Sequence, residues 1–244
     1  MADDMRSILD QVAAGSLTPE QAAQLLGEQQ PTPVERLLVK GSAVRLTIVA
    51  DESVPEAVAE GPHRVERDGS TLRIISDLSD DKAAPQAPRS TFMRWLDAGG
   101  RAGSTLAVRV NPFLPLDVLA VAGSLELSGV RAAVSVGLEA GSAKIGPGSG
   151  PLQLSVSSGS AEVDWLFVGE SRIEVELGSA RVNVLAGSDV TVSAASSAGS
   201  ASVIAADGHD ATAGGATAGA GSGTLTARAQ LGTVAVRLPG AAAQ

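Results

Sequence analysis

From Val34 onward the chain alternates apolar and polar residues with period two, the pattern of strands that bury one face. One five-residue unit recurs within that alternation. GSLEL begins at Gly123, GSAKI at Gly141, GSAEV at Gly159, GSARV at Gly178 and GSASV at Gly199. The glycines follow one another after 18, 18, 19 and 21 residues (141 − 123, 159 − 141, 178 − 159, 199 − 178). Aligned on glycine, two columns are wholly apolar: Leu125, Ala143, Ala161, Ala180, Ala201, and Leu127, Ile145, Val163, Val182, Val203. The column between them reads Glu126, Lys144, Glu162, Arg181, Ser202. Alternation predicts that the apolar columns face inward and the charged one faces solvent.

Self-similarity near twenty residues, carried by strands, predicts a mainly β fold built as a quasi-one-dimensional stack. The expected architecture is a single-stranded β-solenoid of roughly 18–22-residue coils. Each coil would be a strand, a Gly-Ser corner, a second strand and a further bend such as GPGSGP at 146–151. Glycine permits a sharp corner with positive φ, and serine can bond to corner backbone groups. Hairpins in a sandwich would use the same alternation, but the column-by-column agreement favours the stack. Neighbouring coils would hold the charged column about 4.8 Å apart with alternating sign. Opposite charges so placed contribute about 0.2–1 kcal/mol per pair, and like charges would oppose the stacking. GSAVRLTIV at 41–49, GSTLRIIS at 69–76 and GSTLAVRV at 103–110 read as earlier, less regular copies.

Residues 1–30 carry a different period. Met5, Ile8, Leu9 and Val12 share one helix face, and Gly15 supplies a stop. Thr18-Pro19-Glu20-Gln21 reads as an N-cap, an N1 proline and a capping-box residue, with Ala22, Leu25 and Leu26 as the apolar side of a second helix. The expectation is a helical-hairpin module at 1–30, a linker at 31–34 and the repeat domain at 35–240, with a charged, Pro-rich insertion loop at about 77–101. Residues 190–230 are dominated by Ala, Gly, Ser and Thr and read as thin, close-packed coils, because LTARAQLGTVAVRLPG at 225–240 regains alternation and needs a neighbour to pair with.

Composition narrows the function classes. The 244 residues include no Cys and no Tyr, 2% aromatics and 44% hydrophobics, so the core must bring backbones close together. Without thiols there is no disulfide or thiolate-metal chemistry. A formal charge of −9 disfavours nucleic acid. Met1 is followed by Ala-Asp-Asp rather than a basic and then apolar stretch, which makes the cytoplasm the expected location.

The residues 106–132, LAVRVNPFLPLDVLAVAGSLELSGVRA, resemble the bacterial β-strand-repeat "putative adhesin" family of unknown function, in which a strand, a Pro-containing turn, LDV and a Gly-hydroxyl corner open a run of units. ILDQVAAGSLTPEQAAQLLGE at 8–28 is similar to a short helical module that often precedes such repeats. The resemblance implies a β-solenoid-like fold, an envelope-stress or surface-associated role, and no catalytic residues. The Gly-Ser-Ala corner here replaces the commoner Ser-Gly-Asp and so lacks its recurring acid.

Candidate chemistry is sparse. His63 and His209 are the two histidines, and neither has a metal-site spacing; DGHD at 207–210 reads as a loop. Glu174 and Glu176 share one strand beside Glu170 and Arg172, a solvated face rather than two acids across a groove. RSTFMRWLDAGGR at 89–101 places Phe92, Met93, Trp95 and Leu96 among Arg89, Arg94 and Arg101, and Trp165 with Phe167 reads as a bulkier loop packed locally. The reading is therefore of a non-enzymatic structural or interaction protein: no cofactor, no metal, a rigid scaffold whose partner is another protein or a second copy, with a filament as one form of self-assembly. Candidate contact residues are Phe92, Met93, Trp95, Leu96, Ile8, Leu9, Leu25 and Leu26. Two alternatives stand beside it: an envelope-stress or regulatory module touching membrane or protein through the Trp95 segment, and a carbohydrate-active enzyme on a β-helix.

Overall fold

A computed structural model describes residues 10–12, 14, 16, 18, 33–77, 105–205, 207–211 and 215–240. The chain divides into two units, Met1–Pro33 and Val34–Gln244. In the first, residues 10–12 form a helical turn, with the Ala14 amide donating to the Asp10 carbonyl at 2.9 Å and the Ser16 amide to that of Gln11 at 3.0 Å. The rest of the expected hairpin, with Ile8, Leu9, Leu25 and Leu26, lies outside the described residues. So does the stretch 78–104 with Phe92, Met93, Trp95 and Leu96.

The second unit is mainly β, and its described strands belong to one open sheet. In chain order they are β1 (Arg36–Ser42), β2 (Val44–Ala50), β3 (Ala57–Glu60), β4 (Arg64–Asp68), β5 (Thr71–Asp77), β6 (Thr105–Val110), β7 (Leu116–Ala120) and β8 (Gly123–Ser128). Three long strands follow, β9 (Val134–Gly150), β10 (Leu152–Phe167) and β11 (Glu170–Val184). The last are β12 (Val190–Ser196), β13 (Ser200–Ile204), β14 (Ala216–Ala218), β15 (Gly223–Ala229) and β16 (Thr233–Arg237).

β9, β10 and β11 are parallel and in register on both sides of their corner glycines. Shorter strands continue the same two ladders. Before the corner the order is β5, β1, β7, β9, β10, β11, β15, β12; after it, β6, β2, β8, β9, β10, β11, β16, β13. Each matched pair is one rung, and rung order departs from chain order at both ends. The rung of β1 and β2 lies inside that of β5 and β6, and the rung of β15 and β16 lies between β11 and the rung of β12 and β13.

This exchange corrects the reading of the irregular copies. Gly41 pairs with Ala120, and Val44 takes the place opposite Gly123. Gly69 sits in the turn between antiparallel β4 and β5. In the stretch 103–110, Leu106 and Val108 do occupy the two apolar columns, through Leu46 and Ile48. A further copy is GTVAV at 232–236, whose Thr233, Val234 and Val236 pair with Ser179, Ala180 and Val182. Residues 190–204 and 216–229 do form strands, consistent with close-packed small-residue rungs.

The core is one apolar cluster fed by both ladders. Leu138 and Ala143, Val156 and Ala161, Val175 and Ala180 are buried on either side of successive corners. Four residues at each corner turn outside it, and Leu177, which alternation continued from Ile173 and Val175 would turn inward, lies there with 54% exposure. Trp165 is no loop residue: it is fully buried on β10, opposite Gly148, and its indole N–H donates to the Gly150 carbonyl at 2.8 Å. A Cβ on Gly148 would enter the Trp165 ring. Gly148 therefore makes room for the largest buried side chain among the described residues, in a core that apart from Trp165 and Phe167 is aliphatic.

Antiparallel segments from within the chain border the outermost parallel rungs and themselves become the edges of the sheet. β4 pairs antiparallel with β5 and β3 with β6 at one end. At the other, β14 pairs antiparallel with β12, and a single antiparallel bridge joins Ile204 of β13 to Asp210.

Candidate functional site

Gly123, Gly141, Gly159 and Gly178 have φ between 120° and 152°, a region side chains with a Cβ rarely adopt. Each also lies directly on its neighbour: a Cβ at Gly141 would overlap the Gly123 carbonyl oxygen, one at Gly159 that of Gly141, and one at Gly178 that of Gly159. Gly232 stacks on Gly178 in the same manner, and Gly199 stacks on Gly232. Conformation and contact both demand glycine, so the corners align and fix everything that follows them.

The first position after the corner forms a hydroxyl column: Ser124, Ser142, Ser160, Ser179, Thr233, Ser200. All but half-buried Ser124 are exposed. At the last step the Ser200 hydroxyl is 3.3 Å from that of Thr233. Two residues further along lies the charged column, Glu126, Lys144, Glu162 and Arg181, paired rung by rung and exposed throughout. Ala235 and Ser202 continue it beyond Arg181. In the other direction Thr47 and Ala107 occupy the same column and are buried, 4% and 1% exposed. The open part of this face thus begins at Glu126.

The four charges form no ion pair within 4.0 Å among the described residues. The ion pairs there join other groups, Arg36 with Asp117, Arg109 with Asp51, Arg131 with Glu52, and Arg172 with Glu174 among them. Their side chains leave the sheet side by side and project outward, where solvent and rotamer freedom compete with a weak surface attraction. The column is a set of regularly placed charges without ion-pair partners among the described residues.

The other candidate groups do not converge. His63 donates through Nδ1–H to the Gly61 carbonyl at 2.8 Å, beside β3 and β4 at one end of the sheet. His209 lies at the opposite end, its Nδ1 hydrogen-bonded to Asp207. Hydrogen bonds from the His209 amide and ring hold the Asp207 carboxyl below its usual range. These two residues border an open depression of about 620 Å³ whose other lining includes Ala186, Ala211, Thr217 and Leu238. Among the described residues of that lining Asp207 is the one carboxylate, with no second acid facing it there. Glu174 and Glu176 lie on the same strand, Glu174 at 3.8 Å from Arg172 and in register with Arg228. Among the described residues no three His, Cys, Asp or Glu side chains gather as metal ligands.

Two aspartates that the repeat pattern does not mark secure the exchanged rungs. Asp189, just before β12, accepts from the Gly221 amide at 2.6 Å, the Ser222 amide at 3.2 Å and the Ser222 hydroxyl. Those bonds hold the turn that leads β14 into β15, and the Ser222 hydroxyl bond is the leading cause of a lowered Asp189 pKa. Asp51, just after β2, accepts from the Ser53 hydroxyl at 2.6 Å and amide at 2.9 Å and faces Arg109 of β6 at 3.3 Å. Its pKa is also lowered, chiefly by Ser53.

No family model matches the chain, and no curated protein matches it. Among solved structures it is similar to a "putative cell adhesion protein" from Clostridium sporogenes, at 13% identity and a TM-score of 0.43, over 86% of this chain and 95% of that one.

Proposed function

We propose that the parallel rungs wind as a β-solenoid and that the protein is a non-enzymatic interaction scaffold presenting the outer face after the corner glycines. The observation that carries this reading is the unbroken in-register pairing of that face across β8, β9, β10 and β11. Such a face sets hydroxyls and charges at fixed spacing on a backbone that cannot slip without burying polar groups. Rigid placement lowers the entropy lost when a partner is bound. The resemblance of residues 106–132 to a strand-repeat family without catalytic residues points the same way.

The test is site-specific photo-crosslinking in cells. A benzophenone amino acid at Ser160, in the middle of the face, is expected to give discrete covalent protein adducts, whereas the same group at Ser155 on the strand before the corner is expected to give few. Equal labelling from both positions, or none from Ser160, would contradict the assignment of this face.

A further inference from the structure

The order of the charges in the exposed column is self-complementary. Read along the rungs it is Glu126, Lys144, Glu162, Arg181: negative, positive, negative, positive. Reversed, it is positive, negative, positive, negative, so every position of the column matches its own reversed copy. The four side chains are exposed and have no ion-pair partner among the described residues.

We infer that this face pairs with the same face of a second copy of the chain, about a twofold axis parallel to the strands that passes between Lys144 and Glu162. The symmetry makes the choice. Two copies meeting face to face need a twofold axis lying in the interface, and a closed dimer uses the same patch on both sides. An axis along the column would set Glu126 on Glu126 and Lys144 on Lys144. An axis along the strands reverses the column and leaves the position along each strand unchanged. Glu126 then meets Arg181 of the second copy, and Lys144 meets its Glu162, with both contacts repeated by symmetry. The hydroxyl column meets itself in the same operation, Ser142 against Ser160 and Ser124 against Ser179, and its short side chains let the two sheets approach. The register shift within the pairing of β9 and β10 falls after Val163, beyond both columns, so their spacing is undisturbed.

The inference rests on reading this face as an interaction surface and names its partner. Four rungs span about 14 Å between the outer charges at a strand spacing of about 4.8 Å. The patch is below the size of a standard interface, so a weak dimer is expected, with a Kd on the order of 10–100 μM. The chain's net charge of −9 opposes association at long range. At about 0.15 M salt the Debye length is about 8 Å, which screens those distant charges more than the contact pairs.

Sedimentation equilibrium of the full chain at 0.15 M salt, from about 5 to 500 μM, tests this with four proteins. The wild type is expected to dimerise. Glu126→Lys with Glu162→Lys makes the column all positive, and Lys144→Glu with Arg181→Glu makes it all negative; each should weaken self-association at least tenfold. A mixture of the two should restore a one-to-one dimer. The fully reversed column, carrying all four changes, keeps alternating signs within the sheet, and it should dimerise with itself but not with the wild type. A wild type that stays monomeric throughout, an all-positive and all-negative pair that fails to associate, or free exchange between the wild type and the reversed column would each overturn the inference. A monomer that still gives adducts to other proteins from Ser160 would overturn self-pairing alone and leave the interaction reading standing.

Discussion

Gly232 rests on Gly178 although Gly199 is the next repeat glycine along the chain, and Gly199 rests in turn on Gly232. The final copy of the repeat is therefore inserted between two rungs made earlier in the sequence. Its glycine is held by contact, since a Cβ at Gly232 would come within 2.5 Å of the Gly178 carbonyl oxygen. Gly232→Ala should destabilise the fold by about 1–3 kcal/mol, the range for forcing an extra methyl into a packed site. Urea unfolding followed by circular dichroism measures it. Gly208→Ala is the control for a corner without contact, because nothing lies within 4 Å of its site, although its positive φ carries a cost of its own.

The pairing of Trp165 with Gly148 makes a second prediction. Trp165→Ala empties the largest buried side chain and removes its hydrogen bond to Gly150, and should cost about 3–5 kcal/mol. Gly148→Ala drives a methyl into the indole and should cost about 1–3 kcal/mol by overpacking. Denaturant midpoints of both variants against the wild type check the values. A neutral Gly148→Ala would mean that Trp165 does not cover that glycine.

Asp189 gives stability a dependence on pH. Its carboxyl is held below the ordinary value in the folded chain by the Ser222 and Gly221 donors. A group depressed on folding contributes fully above its unfolded pKa, about 3.9 for Asp, and that contribution is lost as pH falls through the lower folded value. Between pH 5 and 8 the Asp189 contribution should be flat, and below about pH 4 it should decline. Asp189→Asn, whose amide presents a donor to donors, should lower stability at pH 7 and show a shallower loss in acid. Urea midpoints from pH 2.5 to 7 for both proteins decide this.

Asp51 should behave alike at the other end. Asp51→Asn weakens the bonds to Ser53 and removes the charge facing Arg109, loosening the junction between β2 and β3. Amide exchange should quicken in β3 and β6 and remain unchanged in β10, which lies several rungs away.

The repeat made much of this fold legible. Glycines 123 to 178 and the columns that follow them could be aligned because each corner needs the same residue for the same two reasons, positive φ and backbone contact. Charge order was readable for the same cause, since register carries the column from rung to rung. Alternation along β11 does not predict the exposed position of Leu177, because the period of two does not hold through a four-residue corner. Trp165 was misread because an aromatic in a chain so poor in them looked like an exception to the core, when Gly148 had made space for it. GTVAV, with Thr233 in place of serine, does not stand out as a copy of the unit, and its place in the stack is not legible, because order among like rungs is set by turns such as the one Asp189 ties. The candidate face follows from the legible part, and its partner from the signs of four charges.

The most direct test of the central claim is a pair of spin-label distances, made simple by the lack of native cysteine. Labels at Ser124 and Thr233 lie four rungs apart, and labels at Ser124 and Ser200 five. At about 4.8 Å per rung, backbone separations of about 19 Å and 24 Å are expected, with residue 233 the nearer. Residue 200 found nearer than 233, or two broad distributions with no such order, would contradict the stacking on which the face and its pairing depend.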